Sequence, residues 1–542
     1  MTTTEVPGRA APAGSKLFVR NATGLVRAWS TFDGFLYSYF SINIVALGFF
    51  AFAYGYVFPG GNLITAIIVS GIFILFEVVV YAALISVMPR AGGDYVWQTR
   101  ILGGGIGFTL AITGWVFILW LWVPIYGNVL SVQFTGPLFA VLGDWTGNHT
   151  LVTWAQNSQT QGGLMVSSVL VAAFATVVVA LGMKFYARVQ RFCFYVSSLG
   201  LLTFFLMLLF ASHSSFVNGW NHYSSILGGQ DYNHTLAAGV KAGVVPIFSK
   251  VAFVGSFALI PFVLFFNLYP NWGASLYGEV RGASDFQRNI RAMGYSVIVN
   301  TVLAVVALAL LAHVVTDTFY NGANAVAGVP IALTYPGMEA AYTTGNHLLQ
   351  LWVVLALSMF FWGWCGTVFL SSTRVVFAAG FDRVIPEWFS KIAKNGAPIN
   401  ALITMLIPGL ILSVLYAYQV HSFQTLTFDA TLVIAVTFLG TCIAAVILPW
   451  RQRDAYLGSP VARYQIGGVP LISICGVIFS AFLVWTLYEW LQNSLYGLNS
   501  HTSLVFLGIL YVGALAIYLI SRAIRQREGI DLGAIHQEIP VE

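Results

Sequence analysis

The sequence predicts an all-α polytopic membrane protein with twelve transmembrane helices. Three observations carry that reading. The 542-residue chain is 58% hydrophobic and only 8% charged, where soluble domains usually carry about 25% charged residues. Apolar runs of roughly 20 residues recur along it, each long enough to cross a ~30 Å hydrocarbon core. Its basic residues gather in alternate connectors, the pattern of loops held on one side of a membrane.

The first residues, 1–30, are rich in Ala, Gly, Pro and Thr and carry Arg9, Lys16, Arg20 and Arg27. They lack an apolar core followed by a small-residue cleavage site and are expected to form a disordered cytoplasmic tail. Helix 1 is expected from Phe32 to Phe58, with Asp33 at its mouth and polar or small residues from Ser41 to Gly48 at mid-depth. Helix 2 covers Leu63 to Met88. The breaker cluster Pro89-Arg90-Ala91-Gly92-Gly93-Asp94 follows, with Asp94 expected to cap a short segment to Arg100. Helix 3 runs from Gly105 to Phe134 and is rich in Trp. A polar loop from Gly143 to Gln161 leads to helix 4, Leu164 to Met183. A connector with Lys184, Arg188 and Arg191 precedes helix 5, Phe192 to Ala211, and residues 212–246 form a long polar extracellular loop.

Helix 6 starts near Val251 and is interrupted by Asn267, Pro270, Asn271 and Gly273 before a short second piece that ends at Glu279 and Arg281. Backbone groups that leave a helix at bilayer depth need other partners. Such a break is either a proline kink or a substrate site. Helices 7 to 12 follow at Ala292–Val315, Leu348–Ser372, Ile399–Tyr418, Thr431–Trp450, Pro470–Leu491 and Ser503–Ile520, with a second long polar loop from Thr316 to Asn346. Residues 522–542 form a basic cytoplasmic tail. With both termini cytoplasmic, all but Lys241 and Lys250 of the 24 Lys and Arg residues lie inside. A miscounted helix would have exchanged every later loop.

The basic balance of +5 follows this topology and does not point to nucleic acid. Cys193, Cys365, Cys442 and Cys475 all fall in apolar spans, without disulfide or zinc spacing. There is no H-E-x-x-H, G-x-S-x-G or G-x-x-x-x-G-K-[ST] segment, so neither enzyme chemistry nor a cofactor is indicated. No repeated filter-like segment or charge ring suggests a channel.

Several stretches resemble a family. Met88-Pro89-Arg90-Ala91-Gly92-Gly93-Asp94-Tyr95 is similar to the PRxGGxY connector of amino acid–polyamine–organocation (APC) permeases. Leu181-Gly182-Met183-Lys184 with Val189-Gln190 resembles their helix 4–5 connector, and Gly278-Glu279-Val280-Arg281 their helix 6 end. Thr373 to Phe389, with Ala397-Pro398-Ile399-Asn400-Ala401 after it, resembles their segment following helix 8. The resemblance spans nearly the whole chain, in register with the twelve helices.

It implies two inverted five-helix repeats, within residues 31–211 and 247–450, with helices 11 and 12 appended within 451–521. It also implies that broken helices 1 and 6 face each other across a substrate site. A half-helix N-terminus suits a carboxylate, and a half-helix C-terminus suits an ammonium. The expected function is secondary active transport of an amino acid by alternating access, ion-coupled or by exchange. Amines, polyamines and other small solutes are the alternative, with a channel or a sensor on the same fold behind them.

By this resemblance the substrate-binding residues are Val45, Ala46, Leu47, Gly48 and Phe49 in helix 1, and Phe265, Phe266, Asn267, Tyr269 and Asn271 in helix 6. Asn267, Tyr269 and Asn271 stand where the family has an aromatic, a glycine and an acid. Trp115 and Trp364 are further aromatics expected near the site. Glu279 and Arg281 are expected in gate ion pairs on the cytoplasmic side. The lysine of helix 5 and the Ser/Thr pair of helix 8 used by coupled relatives are not intact, which leaves Ser197, Ser198 and Thr367 as candidates for coupling to H+ or Na+. Glu77, mid-span in helix 2, is a further candidate. The competing reading, favoured because helix 2 is not expected to line the site, is a protonated or hydrogen-bonded structural glutamate between helices.

Overall fold

A computed structural model of the chain describes residues 25, 28–245, 248–326, 333–419 and 426–539. Most of the tail expected to be disordered lies outside these residues. Among them, 12 helices are long and apolar enough to cross a membrane. Helices 1 to 6 are Thr31–Val57, Leu63–Val87, Gly104–Thr146, Gln161–Ala180, Met183–Phe210 and Lys250–Glu279. Helices 7 to 12 are Phe286–Val314, His347–Phe381, Ile399–Ala417, Thr427–Arg451, Leu471–Gln492 and His501–Arg527. Helices 1, 3, 6, 8 and 10 are buried along most of their length, while helices 5, 9 and 12 turn most of theirs outward. The centre of the bundle is thus built from the first group, and the second presents apolar side chains such as Ile411, Leu202 and Val512 to its surroundings.

Several expected loops are helical. Residues between helices 5 and 6 form His213–Leu227 and Tyr232–Ala242, whose first turns are capped by Ser212 and Asp231. Those between helices 7 and 8 include Asp317–Ala325 and Pro336–Ala341. Polar, short amphipathic helices have no membrane-length apolar run, so hydropathy reads them as loops; side-chain caps start the first three, and Pro336 at the first position starts the last. Helices 5 and 12 also extend beyond their apolar cores. The connector with Lys184, Arg188 and Arg191 is the first part of helix 5, and Arg522 to Arg527 are the last turns of helix 12.

Asp94 does not cap the short helix Asp94–Ile101. Gly93, with φ of 42°, precedes that helix without a side-chain cap. The Asp94 carboxylate instead turns inward to accept from Tyr81.

The connectors after helices 2, 6 and 8 meet both chain ends on one face. Arg191 holds Asp33 at 2.8 and 2.9 Å. Arg100 reaches Asp382 beyond helix 8 at 2.8 Å and the Glu538 carbonyl near the chain end at 3.2 Å. Just before helix 1, Trp29 forms a parallel bridge with Val280, and the backbone N–H groups of Ala28 and Trp29 both donate to the Glu279 carbonyl. Ala28 and Trp29, within the segment expected as tail, are therefore bonded into the fold.

Candidate functional site

Three central helices are interrupted at related depths. Helix 1 is α-helical to Ile42, then Asn43 takes a left-handed conformation with φ of 50°, and a π-helical turn follows over Ile44–Gly48. This break lies just ahead of the Val45–Phe49 segment expected to bind substrate. Asparagine tolerates the left-handed region because its short side chain can bond locally. Here its Oδ1 accepts from the Ala46 N–H at 2.9 Å while its Nδ2 donates to the Phe360 carbonyl of helix 8 at 2.9 Å. The Leu47 and Gly48 N–H groups both donate to the Asn43 carbonyl, and the Ile44 N–H donates to Asn300 of helix 7.

Helix 6 ends its first half at Asn267, passes through Leu268–Asn271 and resumes as a 3-10 helix over Trp272–Glu279. Pro270 forbids continuation, and its freed carbonyl accepts from the Ser38 hydroxyl of helix 1 at 2.6 Å. Helix 8 is interrupted at Cys365 and Gly366.

The two breaks touch. A Cβ added to Gly48 would lie 3.2 Å from the Phe266 ring, and Phe266 packs edge-on against Phe52. Phe265 turns the other way and stacks on Trp122 of helix 3, with centroids 5.6 Å apart and planes 10° from parallel. Trp122 also meets Tyr269, Trp272 and Trp364. Trp115 packs on Trp272 at 4.8 Å, and Tyr126 meets Trp364 at 4.2 Å. An aromatic belt from helices 3, 6 and 8 thus surrounds the helix 6 break. Trp115 and Trp364 belong to it as expected. Trp122, Tyr126 and Trp272 were not distinguishable in a sequence with 16 Trp residues. For Trp122 and Tyr126 the one available signal was their spacing of four along helix 3; they follow directly on a stretch distorted into π and 3-10 turns over Thr113–Leu121, a distortion common at functional sites.

Polar groups without a partner in the chain collect at the same place. Asn271 is fully buried, and neither end of its amide is bonded. The Trp272 indole N–H, the Ser275 hydroxyl and Asn267 Oδ1 are also unpartnered. Buried polar groups are nearly always satisfied, so this concentration marks a place built to bind something polar. Asn267 Nδ2 donates to Ser70 of helix 2 at 2.7 Å, and the Tyr269 hydroxyl meets Thr431 of helix 10 at 3.1 Å.

The remaining candidates separate into two groups. Glu77 is fully buried with both carboxylate oxygens unpartnered. It lies two turns from Ser70 on helix 2, so that helix does line the helix 6 break. Helix 2 was not expected to do so; of the two forms of the structural reading, the protonated glutamate is the one without a hydrogen bond between helices. Thr367 is buried where helix 8 resumes, and its carbonyl accepts from Tyr37 of helix 1 at 2.7 Å. Ser197 bonds within its own helix, to Phe194, and Ser198 is half-buried beside it; neither is brought to the break. Val45 and Ala46 present their carbonyls to Gln133 of helix 3, at 3.0 and 3.2 Å. Phe49 packs on Phe52 and Phe204, away from helix 6.

Glu279, expected at a gate, is buried at the end of helix 6. Its partner is Arg374 of helix 8, which the sequence reading did not single out, with Nε at 2.7 Å and Nη2 at 3.3 Å from the two carboxylate oxygens. Arg281 is exposed, and its backbone N–H donates to the Trp29 carbonyl.

Comparison with known proteins agrees with this architecture. The sequence profile described as "Amino acid permease" matches residues 30–515. The branched-chain amino acid permease BcaP of Lactococcus lactis subsp. cremoris (strain MG1363) is 22% identical over 437 residues, covering 79% of this chain and 83% of that protein. The crystal structure of MhsT in complex with L-phenylalanine superposes with a TM-score of 0.56 at 14% identity, covering 84% of this chain and 98% of that one. The superposition shows the fold: two inverted five-helix repeats with helices 11 and 12 appended.

Proposed function

The chain belongs to the amino acid permease family of the APC superfamily; it is a multi-pass membrane transporter of a small molecule, not an enzyme. From that premise we propose that it is a secondary active transporter carrying a neutral, apolar amino acid across the cell membrane by alternating access. The observation that carries this reading is the aromatic belt around a broken helix whose polar groups are unpartnered.

The α-ammonium goes to the carbonyls of Phe265, Phe266 and Asn267, where the last turn of the first half of helix 6 ends without a continuing helix. The α-carboxylate goes to the Val45–Phe49 segment at the start of the second half of helix 1, at the Ala46 N–H, since the Leu47, Gly48 and Phe49 N–H groups donate to backbone carbonyls of the helix itself. The oxygen that now sits on the Ala46 N–H belongs to the Asn43 side chain, an acceptor of the same kind as a carboxylate oxygen. Backbone thus reads what all amino acids share. Phe265, Trp122, Tyr126 and Trp364 enclose the variable part, while Tyr269 and the Asn267 and Asn271 amides set its length and polarity. Apolar side chains suit this enclosure; BcaP is a branched-chain amino acid permease, and MhsT was crystallised in complex with L-phenylalanine.

The face on which Trp29 meets Val280 is taken as the cytoplasmic one, since the connectors expected inside hold nearly all Lys and Arg of the sequence. The buried Glu279–Arg374 pair closes the site toward the cytoplasm, and rocking of helices 1 and 6 against helices 3 and 8 would expose it to each side in turn.

The test is uptake of a radiolabelled amino acid panel, amines included, into proteoliposomes. Saturable uptake or exchange of Leu, Ile, Val, Met or Phe is expected. Transport of amines alone, or of no compound by folded protein, overturns the reading.

A further inference from the structure

The buried acid on helix 2 has no role in binding an amino acid through the backbone, and nothing else in the chain satisfies it. Glu77 is 0% exposed and both of its oxygens lack a partner. One turn along the same face, the Tyr81 hydroxyl donates to Asp94 Oδ1 at 2.6 Å, and the Thr441 hydroxyl of helix 10 donates to the same oxygen at 2.5 Å. The titratable groups that bear on Glu77 are Asp94 in the connector after helix 2, Tyr81 on its own helix, Tyr269 on helix 6 and Cys442 on helix 10; none is a cation.

We propose that Glu77 and Asp94 form a proton-binding pair that couples transport to a proton gradient, with Glu77 as the group that takes up and releases the proton. The inference rests on the transport reading above and adds the coupling ion and its site.

Two buried carboxyls with no cation between them cannot both be ionised at modest cost. Asp94 receives two hydroxyl donors and is the anion. Glu77 receives none, so in this closed state it holds the proton.

The pair is wired to the part of helix 6 that must move. The Gly92 N–H, two residues before Asp94, donates to the Ser275 carbonyl at 2.9 Å. Gly93 lies so close that an added Cβ would stand 2.9 Å from the Ala274 and Ser275 backbone. Trp115 bears on Asp94 and packs on Trp272. On the other side, Asn267 is bonded to Ser70 on the helix that carries Glu77. When the second half of helix 6 swings away from Gly92 and Gly93, the connector loses its partner and water reaches the pair. Glu77 then gives its proton to water on that side and becomes a carboxylate. One proton crosses with each substrate, bound as Glu77 carboxylic acid and released as hydronium.

The experiment uses the full chain in liposomes loaded with a pH-sensitive dye, with leucine or phenylalanine added outside. For the wild type, substrate should acidify the lumen, and an inward gradient of one pH unit should raise accumulation about tenfold for one-to-one coupling. Glu77→Gln should abolish acidification and gradient-driven accumulation while keeping counterflow into preloaded vesicles within about twofold. Glu77→Asp should restore part of the proton flux. Tyr81→Phe removes one donor from Asp94 without emptying the core, and should shift the pH of half-maximal uptake.

Wild-type transport driven by sodium with no proton movement overturns the proposal and leaves the transport reading intact. So does Glu77→Gln protein that acidifies the lumen as wild type does, or an unshifted Tyr81→Phe profile if the glutamine variant fails to fold. Absence of counterflow in the wild type would overturn the transport reading itself.

Discussion

Arg374 grips Glu279 through two parallel hydrogen bonds, at 2.7 and 3.3 Å, in a place where both side chains are almost wholly buried. The pair ties the end of helix 6 to helix 8 just beneath the candidate site. Removing one partner of a buried pair strands the other, typically at 3–5 kcal/mol. Glu279→Gln should therefore weaken closure on this face. A cysteine placed at Ser275 should be labelled faster from the side of the chain ends in the variant, and initial uptake should fall about tenfold or more. Labelling and uptake equal to wild type would remove Glu279 from the gate.

Asn43 is the next lever, because it supplies both a left-handed backbone and two side-chain bonds. Alanine there loses the bonds and takes on about 1–2 kcal/mol of backbone strain, whereas glycine loses only the bonds. Thermal stability in detergent should rank wild type above Asn43→Gly, and Asn43→Gly above Asn43→Ala. An alanine variant as stable as the glycine one would show that the left-handed turn is not under strain.

Gly48 and Asn271 test the site from its two helices. Gly48→Leu would drive a side chain into Phe266 and should abolish uptake while insertion stays normal. Asn271→Ala removes a buried amide with no partner in the chain, and should leave the fold stable while changing the order of preference across an amino acid panel. If both variants transport like wild type, the site lies elsewhere.

A pH-dependent effect is expected outside the membrane spans. Glu339, in the short helix Pro336–Ala341 of the loop between helices 7 and 8, is fully buried with both oxygens unpartnered. Burial holds its carboxyl well above the ordinary 4.5. The neutral form fits the fold, so this contribution to stability is fully present below 4.5 and is lost as pH rises through the raised value. Glutamine is neutral throughout. Glu339→Gln should melt above wild type at neutral pH, and the difference should vanish toward pH 4.5. A constant difference across that range would contradict the assignment.

The spans were legible because a membrane-length apolar run is a strong signal, and Pro270 announced the helix 6 break. The exact helix 1 break was not legible, because glycine and proline are the usual breakers and Asn43 is neither. Helix 2 hid the position of Glu77 for a different reason. It is apolar all round, so no periodicity says which face meets helix 6, and only its packing puts Ser70 and Glu77 toward the break. Arg374 lay inside a stretch noted for its resemblance, but its partner is 95 residues away in sequence, and nothing local links the two.

The bridge between Trp29 and Val280 joins the backbone ahead of helix 1 to the backbone behind helix 6. With the Ala28, Trp29 and Arg281 N–H bonds around it, it splices two distant stretches of chain into one lever. A pair of spin labels at Ser30 and Gly282 would then keep a fixed separation through the whole cycle, while a pair at Ser30 and Arg383 would report each stroke.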